Sequence, residues 1–367
     1  MSATRSLISP TSNALLERAL LDKLQRRGDV VGSLGELEPL ALRLGLMQNT
    51  LKPRFREPQV FVFAADHGLV VDGPVLPQRR QTHEQVSALL DGRLPLAAFA
   101  RNQQLDLHVV DCGIAFDMPA HERLLMRKIA HGTRNARSTV AMTLDQAHAA
   151  MRAGMEIGES MRGNVVVCAG LGLGSHESAA LVLSRLTDTP IADLVAGGSQ
   201  LDDEQLAQLL NVAHAALARH REARDPVEVL AAFGGFEVAV MVGVMLVAAS
   251  KRHLLMIDGM AACAALLLAA RIATPVTDYC VFCRSNSHHG LDRALGLFRA
   301  SALLELGLES VDGTGAVLAW PVVRNAAALL TEVADGEDPG PSRPQAFAET
   351  EPPQFERAAA SSKAKSR

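Results

Sequence analysis

The chain has no surplus of positive charge and no apolar run long enough to cross a bilayer. Its 36 basic residues stand against 40 acidic ones, a formal net charge of −4. No global positive field therefore exists to hold nucleic acid or an anionic membrane surface, and any anionic ligand must be met by a local site. The apolar stretches Phe236 to Ala249 and Met260 to Ala270 are broken or bounded by Glu237, Lys251, Arg252 and Arg271. They fall short of the ~20 residues that a spanning helix needs and read as buried helices. The opening Met1-Ser2-Ala3-Thr4-Arg5-Ser6 lacks an apolar core followed by a small-residue cleavage site, so a cytoplasmic location is expected. Cysteine is scarce. Five scattered residues fit reduced thiols better than a disulfide framework. Cys112, Cys168 and Cys263 read as small buried hydrophobes. Cys280-Val281-Phe282-Cys283, with His288 and His289 behind it, is weighed as a zinc or redox site, but a strand sends its two thiols to opposite faces and no second pair follows. No metal and no cofactor are expected.

What is present is enough apolar residue for a large core: 48% of 367 residues, at the upper end of one α/β domain or enough for two smaller ones. Apolar residues recur at three and four from Ser12 to Arg27 and from Leu37 to Leu46, which predicts helices there. Gln59 to Ala65 is a short, partly β-branched run that ends in Asp66-His67-Gly68, the pattern of a buried strand opening into a loop. Similar runs at Leu105 to Asp111, Val165 to Ala169, Leu254 to Asp258 and Tyr279 to Cys283 alternate with helix-length segments. The expected fold is a doubly wound α/β fold, a mostly parallel sheet with helices on both faces, plus a smaller helical part from the N- and C-terminal segments. The division expected is a helical part over 1–55, an α/β domain over 56–290, a C-terminal helical segment over 291–335 and a disordered tail over 336–367, where proline, charge and small residues leave little apolar surface. Ligands of such sheets bind beyond the carboxyl ends of the strands, so Asp66, Asp111, Gly170 and Asp258 are expected on the rim of one crevice.

Two glycine-containing turns carry candidate chemistry. Leu306 to Ala316 places Asp312 at the mouth of Gly313-Thr314-Gly315 between apolar runs. Taken alone, that acid is either a proton acceptor or cation holder beside a close-approach backbone, or the N-cap of a helix from Ala316. Gly170-Leu171-Gly172-Leu173-Gly174 after a strand is either a ligand-binding turn or a packing turn, and its spacing departs from the dinucleotide fingerprint. A nucleotide-dependent oxidoreductase rests on that turn alone. His67 beside Asp66 reads more readily as a structural hydrogen-bonding pair than as a catalyst.

The segments Gly32-Ser33-Leu34-Gly35-Glu36-Leu37-Glu38, Phe63 to Gly68, Arg127 to Thr133, Gly234-Gly235-Phe236-Glu237, Ile257-Asp258-Gly259 and Asp312 to Ala316 occur in this order. The set resembles the nicotinate-nucleotide:dimethylbenzimidazole phosphoribosyltransferases, from about Gly32 to about Leu330. The resemblance implies a homodimeric pentosyltransferase that moves phosphoribosyl from nicotinate mononucleotide to 5,6-dimethylbenzimidazole, making the lower-ligand precursor of cobalamin, with Asp312 as catalytic base where the family has glutamate. It implies substrate contacts at Gln85, Gly172, Gly174, Ser175, Gly198, Ser199, Asp258, Asn286, Gly313 and Thr314, and small-molecule partners with neither nucleic acid nor membrane. Several positions depart from the family pattern. Gly170 replaces an acid, Leu209 a nucleotide-contacting lysine and Asn286 a phosphate-binding serine. Glu177 adds a negative charge beside the presumed anion. Arg79 and Arg80 are unusually basic for the base-binding segment, and Arg284 is a candidate to restore the missing positive charge. Two alternatives stay open: the same fold acting on a different aromatic base, and a binding or regulatory protein that has lost turnover.

Overall fold

The computed structural model describes residues 8–74, 80–195 and 201–333. Strands β1 (Gln59–Ala65), β2 (Asp106–Gly113), β3 (Leu124–Met126), β4 (Val165–Leu171), β5 (Leu254–Asp258) and β6 (Cys280–Cys283) form one sheet in the order β3-β2-β1-β4-β5-β6. Every pairing is parallel. In β1, β4, β5 and β6 every residue is buried, which explains why these strands read as unbroken apolar runs: helices cover both faces, so neither face selects polar side chains. The edge strand β3 was not anticipated. It has three residues with mixed exposure, too few for a periodic signal.

Strand order reverses between β1 and β4, the place where doubly wound sheets open a crevice beyond their strand ends. The apolar helices Phe236–Ser250 and Met260–Ile272 are buried almost all round and pack against the sheet. Leu144–Ser160 lies against the first of them. Leu37–Gln48 packs on the long helix Thr314–Thr331, and Phe55 meets Trp320 edge-on at 5.6 Å, so the N-terminal helices and the C-terminal helix share one cluster. The helix at the acidic turn starts at Thr314, with Gly313 (φ +93°) as its N-cap residue and no side-chain cap of its own. Asp312 is therefore not the N-cap.

Three of the four expected rim residues turn inward. Asp111 is fully buried within β2, accepts from the Ile114 amide at 2.9 Å and lies 3.5 Å from Lys128. Asp66 accepts from the Thr82 hydroxyl and from the Ala115 amide, fastening two loops together. Asp258 is fully buried at the end of β5. Each carboxylate finds protein donors close by, and solvating it that way costs less than leaving it half-desolvated at a crevice edge. Among the described residues, no helix is long and apolar enough to cross a membrane. The expected tail at 336–367 lies outside the described residues.

Candidate active site

A cavity of about 700 Å³ opens beyond the carboxyl ends of the central strands. Its floor is the end of β4 and the turn that follows, Gly170 to Leu173, and then Ser175 and His176 at the start of helix Ser175–Thr187. That turn lies against the end of β1: Gly172 (φ +155°) leaves no space for a side chain, since a Cβ there would sit 1.8 Å from the Ala65 carbonyl oxygen. The Leu173 amide donates to the Thr82 hydroxyl at 3.0 Å, tying the turn to the Asp66–Thr82 pair. Leu94, Pro95 and Met260 supply apolar wall, and Arg80 and Gln85 stand at one side. Asn286, Glu309, Ser310 and Asp312 stand at another. The shape suits a planar apolar ring held beside a few polar groups.

Asp312 is the chemically distinctive group. Burial holds its carboxyl well above the ordinary carboxylate range, the charge of Asp258 adds to that, and a hydrogen bond from Asn286 Nδ2 to Oδ1 at 3.2 Å opposes it. A carboxyl so raised holds a proton more tightly than an ordinary carboxylate, which matches the requirement for a general base. Beneath it, Asp258 accepts from the Ser285 hydroxyl at 2.6 Å and from the Ala316 amide at 2.9 Å.

A second polar group supports the floor from below. Ser175 donates its hydroxyl to Glu237 Oε1 at 2.8 Å, and the same oxygen is 3.0 Å from His67 Nε2. Burial alone would push the His67 imidazole down, but the Glu237 carboxylate, by charge and hydrogen bond, reverses this and leaves it above its ordinary value. His67 is thus a structural partner, as expected, but of Glu237 and not of Asp66. The expectation that Ser175 donates its hydroxyl to a ligand is redirected: the hydrogen lies on Glu237, and the oxygen offers lone pairs to the cavity.

Of the residues singled out in the sequence, Gln85, Gly172, Ser175, Asn286 and Asp312 line this one cavity. Gly174 does not. It lines a smaller neighbouring cavity with Leu69, Val70 and Leu209, and Glu177 lines that cavity as well. Gly313 and Thr314 are packed inside the first turn of their helix, the Thr314 hydroxyl donating to the Val311 carbonyl at 2.7 Å. Asp258 lies under the cavity wall and is absent from its lining. Gly198 and Ser199 lie outside the described residues, as does Arg79. Arg284 does not restore a positive charge to the cavity: its guanidinium is paired with Asp292 and Glu305 and donates to the Asn286 carbonyl at 2.9 Å. The cations and polarisable rings that do reach the cavity are Arg80 and His176. The His176 ring packs on His288 with centroids 3.9 Å apart, and burial followed by that neighbour lowers the His288 pKa to about 3. His176 and Glu237 were not picked out as site residues. Glu237 had a signal, an acid in the first turn of an otherwise apolar helix, but His176 had none, because its partner comes from a distant segment. Cys280 and Cys283 are buried free thiols at the two ends of β6, and no group of three or more His, Cys, Asp and Glu that could hold a metal ion occurs among the described residues.

Comparison with known proteins finds relatives over most of the chain. A family model described as "Phosphoribosyltransferase" matches residues 8–340. The nicotinate-nucleotide–dimethylbenzimidazole phosphoribosyltransferase of Cupriavidus taiwanensis is 41% identical over 333 residues, covering 89% of this chain and 95% of the relative. The protein of the same name from Dechloromonas aromatica is 40% identical, with 89% and 96% covered. The crystal structure of CobT from Thermus thermophilus superposes with a TM-score of 0.78 at 30% identity, covering 85% of this chain and 96% of that one. The chain belongs to the nicotinate-nucleotide–dimethylbenzimidazole phosphoribosyltransferase family.

Proposed function

We propose that the protein transfers the phosphoribosyl group of nicotinate mononucleotide to 5,6-dimethylbenzimidazole, releasing nicotinate and forming α-ribazole 5′-phosphate. The observation that carries this reading is Asp312, a carboxyl of raised proton affinity on the wall of a cavity with an apolar slot. A ring nitrogen of the base attacks C1′ while the bond from C1′ to the pyridinium nitrogen breaks, with inversion from the β to the α anomer. Nicotinate leaves with the bonding pair, and the N–H proton of the benzimidazole passes to Asp312. The pyridinium is already an activated leaving group, so what the protein supplies is placement, exclusion of water and a base.

The remaining assignments follow the cavity. Leu94, Pro95 and Met260 would cover the benzimidazole, with Gln85 at its edge. The N-terminal end of helix Ser175–Thr187 faces the anionic nucleotide, helped by its dipole and by Arg80 and His176. Asn286 holds Asp312 in place. Gly198 and Ser199 are assigned to the nucleotide on the family resemblance alone. We assign the protein to the cytoplasm as a homodimer, and sedimentation equilibrium of the purified chain tests the dimer directly.

The deciding experiment follows nicotinate release and α-ribazole phosphate formation with nicotinate mononucleotide and a panel of aromatic bases, in wild type and in Asp312→Asn. Product with dimethylbenzimidazole that is lost in the variant is the expected result. Release only with another base would assign the same chemistry to a different acceptor, and tight binding with no release for any base would mark a site that has lost turnover.

A further inference from the structure

Asp258 reaches the reacting end of the cavity without touching it. Its carboxylate accepts from Ser285 Oγ at 2.6 Å and from the Ala316 amide at 2.9 Å, and Ser285 Oγ in turn accepts from the Gly315 amide at 2.8 Å. Asp258 and Ser285 are both fully buried. Together they satisfy first-turn amides of helix Thr314–Thr331, which has no side-chain cap of its own. The cap is thus supplied by the end of β5 and the segment just after β6, and the turn it fixes is the one that presents Asp312. The next residue, Gly259, has φ +93°, and a Cβ on it would fall 1.8 Å from Asp312 Oδ2, so the Asp312 carboxyl occupies the space that a side chain at 259 would take.

We propose that Asp258 is a positioning residue for Asp312, clamping the turn that carries it and placing a fixed buried negative charge behind it. This rests on Asp312 being the base of the proposed reaction. Burial pushes both carboxyls up, but Asp258 is drawn back by the Ser285 hydroxyl and surrounding amides, whereas Asp312 has one donor, Asn286. The first proton that the pair binds therefore goes to Asp312 and leaves the negative charge on Asp258, and it is the ionised Asp312 that accepts the benzimidazole proton. The other titratable groups facing the pair are Cys263 and Cys283, whose thiols burial holds protonated, and Arg80, His176 and Glu309 around the cavity.

The test is a carboxyl ¹³C NMR titration of the full-length, aspartate-labelled protein, with the Asp312 signal assigned by its loss in Asp312→Asn, run beside the pH profile of kcat/KM. In Asp258→Asn the Asp312 step and the acid limb of the profile are expected to move down together by about one pH unit or more. In Ser285→Ala, which loosens the clamp and keeps the charge, kcat falls roughly tenfold to a hundredfold with the Asp312 step unmoved. Where Asp258→Asn does not fold, Ser285→Ala decides the matter, because Asp258 ionises while Asp312 is still protonated and Asp312→Asn leaves its step where it was. An Asp312 step unmoved in Asp258→Asn, or a kcat unmoved in Ser285→Ala, overturns the proposal. Wild-type protein without turnover would overturn the reaction instead, leaving the NMR result to stand on its own.

Discussion

Asp312 combines a function with a cost, because a carboxyl held in its proton-binding range disfavours the charged form in the folded chain. Removing the carboxylate in Asp312→Asn should lower kcat/KM about a hundredfold to ten-thousandfold, measured by nicotinate release. Its stability effect has the opposite sign. The folded pKa is raised well above the ordinary 3.8, so the group's contribution is present below that value and is lost as pH rises through the folded pKa. Asp312→Asn should therefore melt a few degrees above wild type at pH 8, with the gain vanishing toward pH 4, as scanning calorimetry would show. His67 follows the same rule for a different reason. Its folded pKa lies above 6.5, held there by Glu237, so the stability of this buried pair is full below that value and declines as pH rises through the folded pKa. Urea midpoints measured from pH 6 to pH 9 should fall in wild type and fall less steeply in His67→Gln.

Helix packing is constrained most tightly where two backbones touch. Leu144–Ser160 and Phe236–Ser250 approach so closely that a Cβ on Gly154 would sit 1.9 Å from the Val240 carbonyl oxygen, and one on Gly243 would sit 2.1 Å from that of Met151. Gly154→Ala must push the helices apart, at a cost of about 1–3 kcal/mol, and should lower Tm by several degrees. No residue of either helix lines the cavity, so kcat of the folded variant at 25 °C should stay close to wild type. Thr314–Thr331 shows the converse dependence. It carries Pro321 in its interior, which removes a ladder hydrogen bond, yet it persists because Ala316, Val317, Ala319, Trp320 and Val323 are buried against the sheet and the N-terminal helices.

For the molecule as a whole, a ligand that binds only the folded chain adds to its stability by mass action. Nicotinate mononucleotide at about a hundredfold over its Kd should add ~2.7 kcal/mol and raise Tm, whereas nicotinamide adenine dinucleotide should not, which calorimetric scans with each compound would check. The parallel sheet was legible in the chain because strands covered on both faces select apolar residues at every position, and β1, β4 and β5 are of that kind. The short exposed β3 carried no such pattern. Likewise, the ordered motifs identified the family, and the Gly313-Thr314-Gly315 turn pointed to Asp312. What residue order could not decide was which strand-end acid faces ligand. Asp66, Asp111 and Asp258 sit at or near strand ends as Asp312 sits before its helix, but each of the first three is met by a group brought from another segment: Thr82, Lys128, and Ser285 with the Ala316 amide. Local sequence thus determined the apolar strands, the helices between them and the kinds of group at their ends. Only the tertiary structure decided which of those groups are satisfied inside and which is left at the cavity, because a buried carboxylate's partners are amides and hydroxyls that packing alone brings within hydrogen-bond reach.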